Sequence, residues 1–212
     1  MNTPAIRKLE ASILAEIDED IQALSPEPPR VERYLKLSRQ MKKASPNWPV
    51  SRQPWPTVRL ELSTAHVVAH QWIQGLARLL EVYFYTDPLL YPLPWHPMRV
   101  IHKWALARLM IFVAQASEAE PEEVKGLEKY RLEYGLVVWA LLKEVEENVD
   151  KSHGTNTLFA LQVKRKLEQV KVDMESSQEY RTRQLLSPEA MEVEWAKLRR
   201  IASEISDEWT LS

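Results

Sequence analysis

"YPLPWHPMR", residues 91–99, places three prolines, a tryptophan and a histidine within nine positions, and on either side the apolar residues recur at helical spacing. A residue that precedes proline is pushed toward extended backbone, so Pro92 and Pro94 keep this stretch out of a helix. Pro97 suits the first position of a new helix, where its missing amide hydrogen costs nothing. His96 then sits near the cap, and Trp95 is placed to pack back as a staple. The segment reads as a joint between helices. A proline-rich ligand for an aromatic groove is the sharper reading, but a stretch locked between two apolar helices is poorly available to such a groove.

The same logic divides the rest of the chain. Eleven of the fourteen prolines fall in clusters (26, 28 and 29; 46, 49, 54 and 56; 88, 92, 94 and 97). An internal proline removes a helical hydrogen bond and clashes with the preceding turn, so the proline-free windows are the helix candidates. Upstream of the joint, residues 57–86 are helical in pattern but contain Gly75. Glycine reaches the left-handed conformation that ends helices, which predicts an antiparallel pair, 57–73 and 76–86, turning there. Downstream, 97–116 is apolar on so many sides, through Val100, Trp104, Ala107 and Ile111 with Ile101, Leu109 and Phe112, that a central helix is expected.

Farther out, Thr3-Pro4 opens an amphipathic helix over 5–24, and a helix over 30–44 ends on Lys42 and Lys43, which suits a helix C-terminus. A long helix is expected over 120–149. "KSHGTNT" stops it at Gly154 and offers Thr155 or Asn156 as the next cap. Helices over 157–180 and 188–208, the last opened by Ser187-Pro188, complete the series. With no alternating strand pattern, the fold class is all-α: antiparallel helix pairs stacked as a tetratricopeptide-like α-solenoid. Residues 1–50 are lead-in helices and 51–212 the helical-hairpin domain, read as one continuous all-α unit.

Composition narrows the function. A net charge of -2 gives no field suited to nucleic acid or a membrane surface. The absence of cysteine excludes a disulfide framework, a thiolate zinc site and a cysteine nucleophile. The N-terminus becomes acidic too early for a signal peptide, and no run of eighteen apolar residues occurs, which favours an intracellular, soluble protein.

"LLYPLPWHPMRVIHKWALARLMIF" (89–112) and "KSHGTNTLFALQVKRKLEQVKVDM" (151–174) resemble the C-terminal helical domain of the SET- and MYND-domain protein-lysine methyltransferases, fungal members in particular. In that family a His-Pro-x-Arg segment opens a tetratricopeptide-like helix, matched by His96, Pro97, Met98 and Arg99. A His-Gly turn opens a later one, matched by His153 and Gly154. The likeness covers roughly 55–175. It implies a domain that walls one side of a substrate cleft and needs no cofactor of its own. S-adenosylmethionine and zinc would belong to SET and MYND portions, whose cysteine framework, Asn-His pair and catalytic tyrosine have no counterpart here.

Candidate chemistry is sparse. His66 and His70 would share a helical face, but Val67 stands where a zinc peptidase has glutamate and no third ligand is evident. The glutamates between 122 and 147 alternate with Lys125, Lys129, Arg131 and Lys143, as on a solvated helix face. Lys164, Arg165 and Lys166 form a basic run without interleaved aromatics, which speaks against nucleic acid. Trp72, Trp104 and Trp139 are expected as core anchors, and Trp48, Trp55 and Trp95 as pins for the proline-rich joints. Arg99, His102 and Lys103 share a face that continues through Leu106 and Met110, and this face is the candidate contact surface for a protein or an acidic peptide. No nucleophile, base and orienting group stand together, so a non-catalytic role is expected, with a stand-alone adaptor as the alternative to a methyltransferase domain.

Overall fold

The computed structural model describes residues 3–23, 29–119, 121–176 and 187–206. Among them every regular element is helical, as the proline spacing predicts. The first helix, α1 (Pro4–Ala23), starts where Thr3 Oγ1 accepts the amide of Ile6 at 3.4 Å. It leans on α2 (Pro29–Ala44) through Asp20, a carboxylate only 1% exposed. Arg33, Arg30 Nε at 2.9 Å and the Tyr34 hydroxyl at 2.8 Å all donate to Asp20. Burying a carboxylate is costly unless it is paired, and these three donors supply the pairing. Ile13, Ile17, Tyr34, Leu37 and Met41 then close a core with Val58 and Leu62 of α3 (Trp55–Val68).

The other side of α3 packs along α4 (Trp72–Glu81), and here one expectation is overturned. The turn between them is not at Gly75. It lies at residues 69–71, where His70 takes the left-handed conformation at φ 58°. Gly75 is instead buried inside α4, facing α3: a Cβ there would lie 2.8 Å from Val67 Cγ2 and 3.2 Å from the carbonyl oxygen of Ser63. The glycine is needed for close approach of two helices rather than for a turn.

Past Glu81 the helix widens into a π turn, Val82–Thr86, and ends in one further turn, α5 (Asp87–Leu90). The joint follows. The guanidinium of Arg99 donates from Nη1 to the carbonyls of Tyr91 (3.1 Å) and Pro92 (3.3 Å), which pins the extended backbone to the start of α6 (Pro97–Ala119). Trp95 does not staple; it is 40% exposed with Lys151 Nζ 5.4 Å from its ring. His96 takes that place, stacked on Tyr91 at 4.3 Å.

The single helix expected over 120–149 is broken. A short α7 (Pro121–Val124) and a 3-10 stretch, Lys125–Tyr130, lead to Arg131 in the left-handed region at φ 48°, and α8 (Tyr134–His153) starts afresh. Val124, Leu127 and Tyr130 all insert into the main core, which a straight helix could not achieve while also aligning α8 on α6. The corner is held from α10 (Pro188–Ser206): buried Glu194 accepts the amide of Glu133 at 3.1 Å, and Lys197 donates to the carbonyl of Arg131 at 2.8 Å. Gly154 at φ 91° ends α8 as expected. The cap of α9 (Leu158–Ser176) is Thr157, whose hydroxyl accepts the amide of Ala160 at 3.2 Å, not Thr155 or Asn156. Ser187 caps α10 by accepting the amide of Ala190 at 3.2 Å. The expected extensions of α9 to 180 and of the last helix to 208 fall outside the described residues.

Helices α6 and α9 both pack on α8, and residues of all three share a small core of Val100, Val145, Val149, Ala160 and Val163. The last helix does not pair with α9 as a plain serial stack would require. It returns to lie against α4 and α8, placing Leu198, Ile201 and Ala202 in the same core as Leu76, Leu80, Leu106 and Leu141.

Candidate functional site

Helices α6 and α9 both rest on α8, and a groove runs between them. On α6 the exposed positions include Met98, Ile101, Ala105, Arg108, Phe112 and Gln115, recurring every three or four residues and therefore forming one face. On α9 the exposed Gln162, Arg165 and Gln169 answer them. The resulting hollow, about 520 Å³, is lined by Trp104, Arg108, Ile111, Phe112, Arg165 and Lys166, with the glutamines at its edge.

Its floor is fixed by ring contacts. Phe112, though 46% exposed, is stacked on Trp72 at 6.4 Å, and Trp104 meets Phe159 of α9 edge-on at 5.9 Å. Arg108 sits 6.0 Å over the Phe112 ring. Among the described residues neither Arg108, Arg165 nor Lys166 has a carboxylate partner; Lys166 bonds only the Gln169 side chain, at 3.1 Å. Beyond Ile111 and Gln115 the groove continues into a second hollow of about 500 Å³, walled by Leu132, Val138, Val170 and Met174 and bordered by Glu118, Glu133 and Asp173. The trough thus mixes apolar and polar side chains along its length, with cations at one end and carboxylates at the other.

The face proposed from sequence lies elsewhere, and most of it is interior. Leu106 and Met110 are 0% exposed in the main core. His102 is buried with Nδ1 2.9 Å from Asp87 Oδ1, and Lys103 is buried with Nζ 2.6 Å from Glu144 Oε2. Neither side chain faces solvent. Arg99 alone keeps partial exposure. The side chains that do line the groove, Arg108, Phe112 and Arg165, were not singled out as a site from the sequence. Their signal was present in the seven-residue recurrence of 98, 101, 105, 108 and 112. With apolar residues all round α6, sequence alone does not separate that exposed stripe from the buried one.

The remaining candidates separate similarly. His66 and His70 do not share a face, because α3 ends at Val68 between them. His66 Nδ1 is 2.7 Å from Gln71 Oε1, and His70 meets Trp72 edge-on at 5.3 Å. Glu144 neutralises Lys103 and accepts from the Tyr83 hydroxyl at 3.3 Å, and burial with that nearby carboxylate pushes the Tyr83 phenol far up. Lys164 is paired with Asp150 at 2.9 Å, which leaves only Arg165 and Lys166 of the basic run at the groove. Trp72, Trp104 and Trp139 are half-buried and none is fully enclosed; Trp48, 7% exposed, is the more buried anchor.

Aromatic rings, apolar side chains and guanidiniums without a carboxylate partner among the described residues thus share one groove. The chain matches no family model, no curated protein and no solved structure.

Proposed function

We propose that this chain is a non-catalytic protein-binding helical domain, tetratricopeptide-like in plan, whose α6–α9 groove receives an acidic, amphipathic segment of a partner protein. In this reading α6 and α8, then α9, act as successive members of stacked hairpins, and the groove is the face that such stacks present to ligands. The observation that supports it is the groove lining. Phe112 is held half-exposed beside Trp104, and three cations there lack carboxylate partners among the described residues. Apolar contact supplies affinity, and Arg108, Arg165 and Lys166 select for acidic flanks.

The His-Pro-x-Arg and His-Gly segments support a narrower role: the wall of a substrate cleft beside a SET- and MYND-type methyltransferase core, which would itself carry S-adenosylmethionine and zinc. A transcript that joins this chain to a cysteine-rich module and a β-rich core would favour that role over a stand-alone adaptor. The binding proposal is tested by titrating the chain with a synthetic helical peptide bearing leucines on one face and glutamates beside them, and with its lysine counterpart. The glutamate peptide should bind and the lysine peptide should not. The Arg165→Glu variant should reverse or abolish the preference. Equal binding of both peptides, or of neither, rejects the groove as the site.

A further inference from the structure

Pro88 has no amide hydrogen, and within an α-helix its ring would crowd the carbonyl of residue 84. The chain accommodates it by widening one turn: the amide of Asp87 reaches back five residues to the carbonyl of Val82. Single π turns of this kind recur at functional sites. Here the turn fans three consecutive aromatics, Tyr83, Phe84 and Tyr85, around a pocket of about 280 Å³ that Arg99, Trp195 and Arg199 complete. Tyr83 and Phe84 meet Trp195 at 6.0 and 6.3 Å, so three rings from two elements form a continuous wall.

Two guanidiniums from different helices enter this aromatic pocket. Arg99 is held by its two carbonyl contacts and has no carboxylate partner among the described residues. Arg199 lies 5.2 Å from the Phe84 ring centroid and is paired at 2.7 Å only with Glu192, itself 66% exposed. An ion pair that open is weak and readily exchanged for a better anion. Of the neighbouring carboxylates, half-buried Glu144 is matched by Lys103 at 2.6 Å, and buried Asp87, which also feels the charge of Arg99, is paired with His102 at 2.9 Å. The pocket therefore presents cationic groups beside ring faces.

We propose that this pocket binds an aromatic ring carrying an anionic group, an aryl phosphate or aryl carboxylate, with Arg99 and Arg199 on the anion and Phe84 and Trp195 against the ring. A cavity of about 150 Å³ accepts benzene, so the space here holds a ring plus its charged substituent. Bidentate guanidinium contact accounts for the anion and stacking for the ring.

The test is an NMR titration of the whole chain that follows the Trp195 indole N–H, assigned by its loss in Trp195→Phe. Phenyl phosphate should shift it saturably. Phenol, which lacks the charge, and inorganic phosphate, which lacks the ring, should each bind at least about tenfold more weakly. Arg199→Gln should weaken phenyl phosphate by a similar factor, and Arg199→Lys by less. A capped phosphotyrosine amide that binds as well as phenyl phosphate would place the ligand on a protein side chain; loss of binding on capping would place it among free small molecules, and either supports the pocket. Because Arg99→Gln also frees the joint, the exposed Arg199 decides the matter if the Arg99 variant melts early. Equal binding of phenol, equal binding of inorganic phosphate, or an Arg199→Gln variant with unchanged affinity overturns the proposal.

Discussion

The hydroxyl of Ser63 donates to the carbonyl of Gly75 at 2.8 Å, joining the middle of α3 to the first turns of α4. So close an approach of two backbones is possible only because position 75 has no side chain. Gly75→Ala would force a methyl group against Val67 Cγ2 and the Ser63 carbonyl. Overpacking of this kind costs about 1–3 kcal/mol, and here it outweighs the ~1 kcal/mol that alanine gains in helix propensity. Urea denaturation should show a lower midpoint; a stabilised variant would mean that α3 and α4 can slide apart freely.

That position shows how legible the fold was. Proline spacing located most helix starts, though not those of α4, α8 and α9, because a missing amide hydrogen acts within the chain itself. Pro97, Pro121 and Pro188 all stand first in their helices. What could not be read was the use made of a residue by distant partners. Gly75 and His70 exchanged the roles of spacer and turn because the spacer is set by α3, not by local sequence. Arg131 breaks the expected long helix because Glu194 and Lys197, more than sixty residues away, satisfy the broken backbone. Likewise Arg99, His102 and Lys103 do share a face, but Asp87 and Glu144 pair with His102 and Lys103, and both of those side chains are buried.

His102 is thereby a stabilising contact for Asp87, which is 0% exposed and whose carboxyl is pushed up by burial against the opposing pull of His102. Removing the imidazole in His102→Ala strands that carboxylate, at a cost of about 3 kcal/mol near neutral pH. A carboxyl whose pKa is raised by folding contributes stability that is present at low pH and lost as pH rises through the raised value. The deficit of the variant should therefore shrink on acidification as Asp87 takes up a proton. Denaturation of both proteins across the acid range checks this; a deficit independent of pH would show that the lost ring packing, not the stranded charge, is responsible.

Arg131 holds left-handed backbone at φ 48° and ψ 55° without glycine's freedom, a conformation that costs an ordinary residue about 1 kcal/mol. Lys197 contacts its backbone carbonyl, not its side chain. Arg131→Gly should therefore relieve the strain, keep the corner and leave stability equal or higher by up to about 1 kcal/mol once glycine's greater unfolded freedom is subtracted. Arg131→Val, β-branched and intolerant of that region, should lose more than 1 kcal/mol, by roughly the strain of forcing it there. Thermal melts of the two variants measured side by side make the comparison, and a valine variant as stable as the glycine one would show that the corner refolds into continuous helix.

Glu204 closes the far end of the corner. Its carboxylate accepts from Arg200 in the preceding turn, from Lys129 Nζ at 2.9 Å and from the Tyr130 hydroxyl at 2.7 Å. These donors, Arg200 foremost, hold its pKa down to about 2 against an ordinary 4.5. The sign follows from linkage: a carboxyl depressed by folding contributes stability that is complete above its unfolded pKa and is lost as pH falls through the folded one. Glu204→Gln should accordingly lower the melting temperature near neutral pH, where the carboxylate ties α10 to the 3-10 stretch. The gap between variant and parent should narrow below about pH 4.5 and close only below about pH 2, once the parent has lost the same charge. Salt should also narrow the gap at neutral pH, because the site is open to solvent and its ions are screened. A gap of constant size across that range would mean that the glutamate acts through its shape alone, and that α10 is held at this end by Ile201 and Leu198 without electrostatic help.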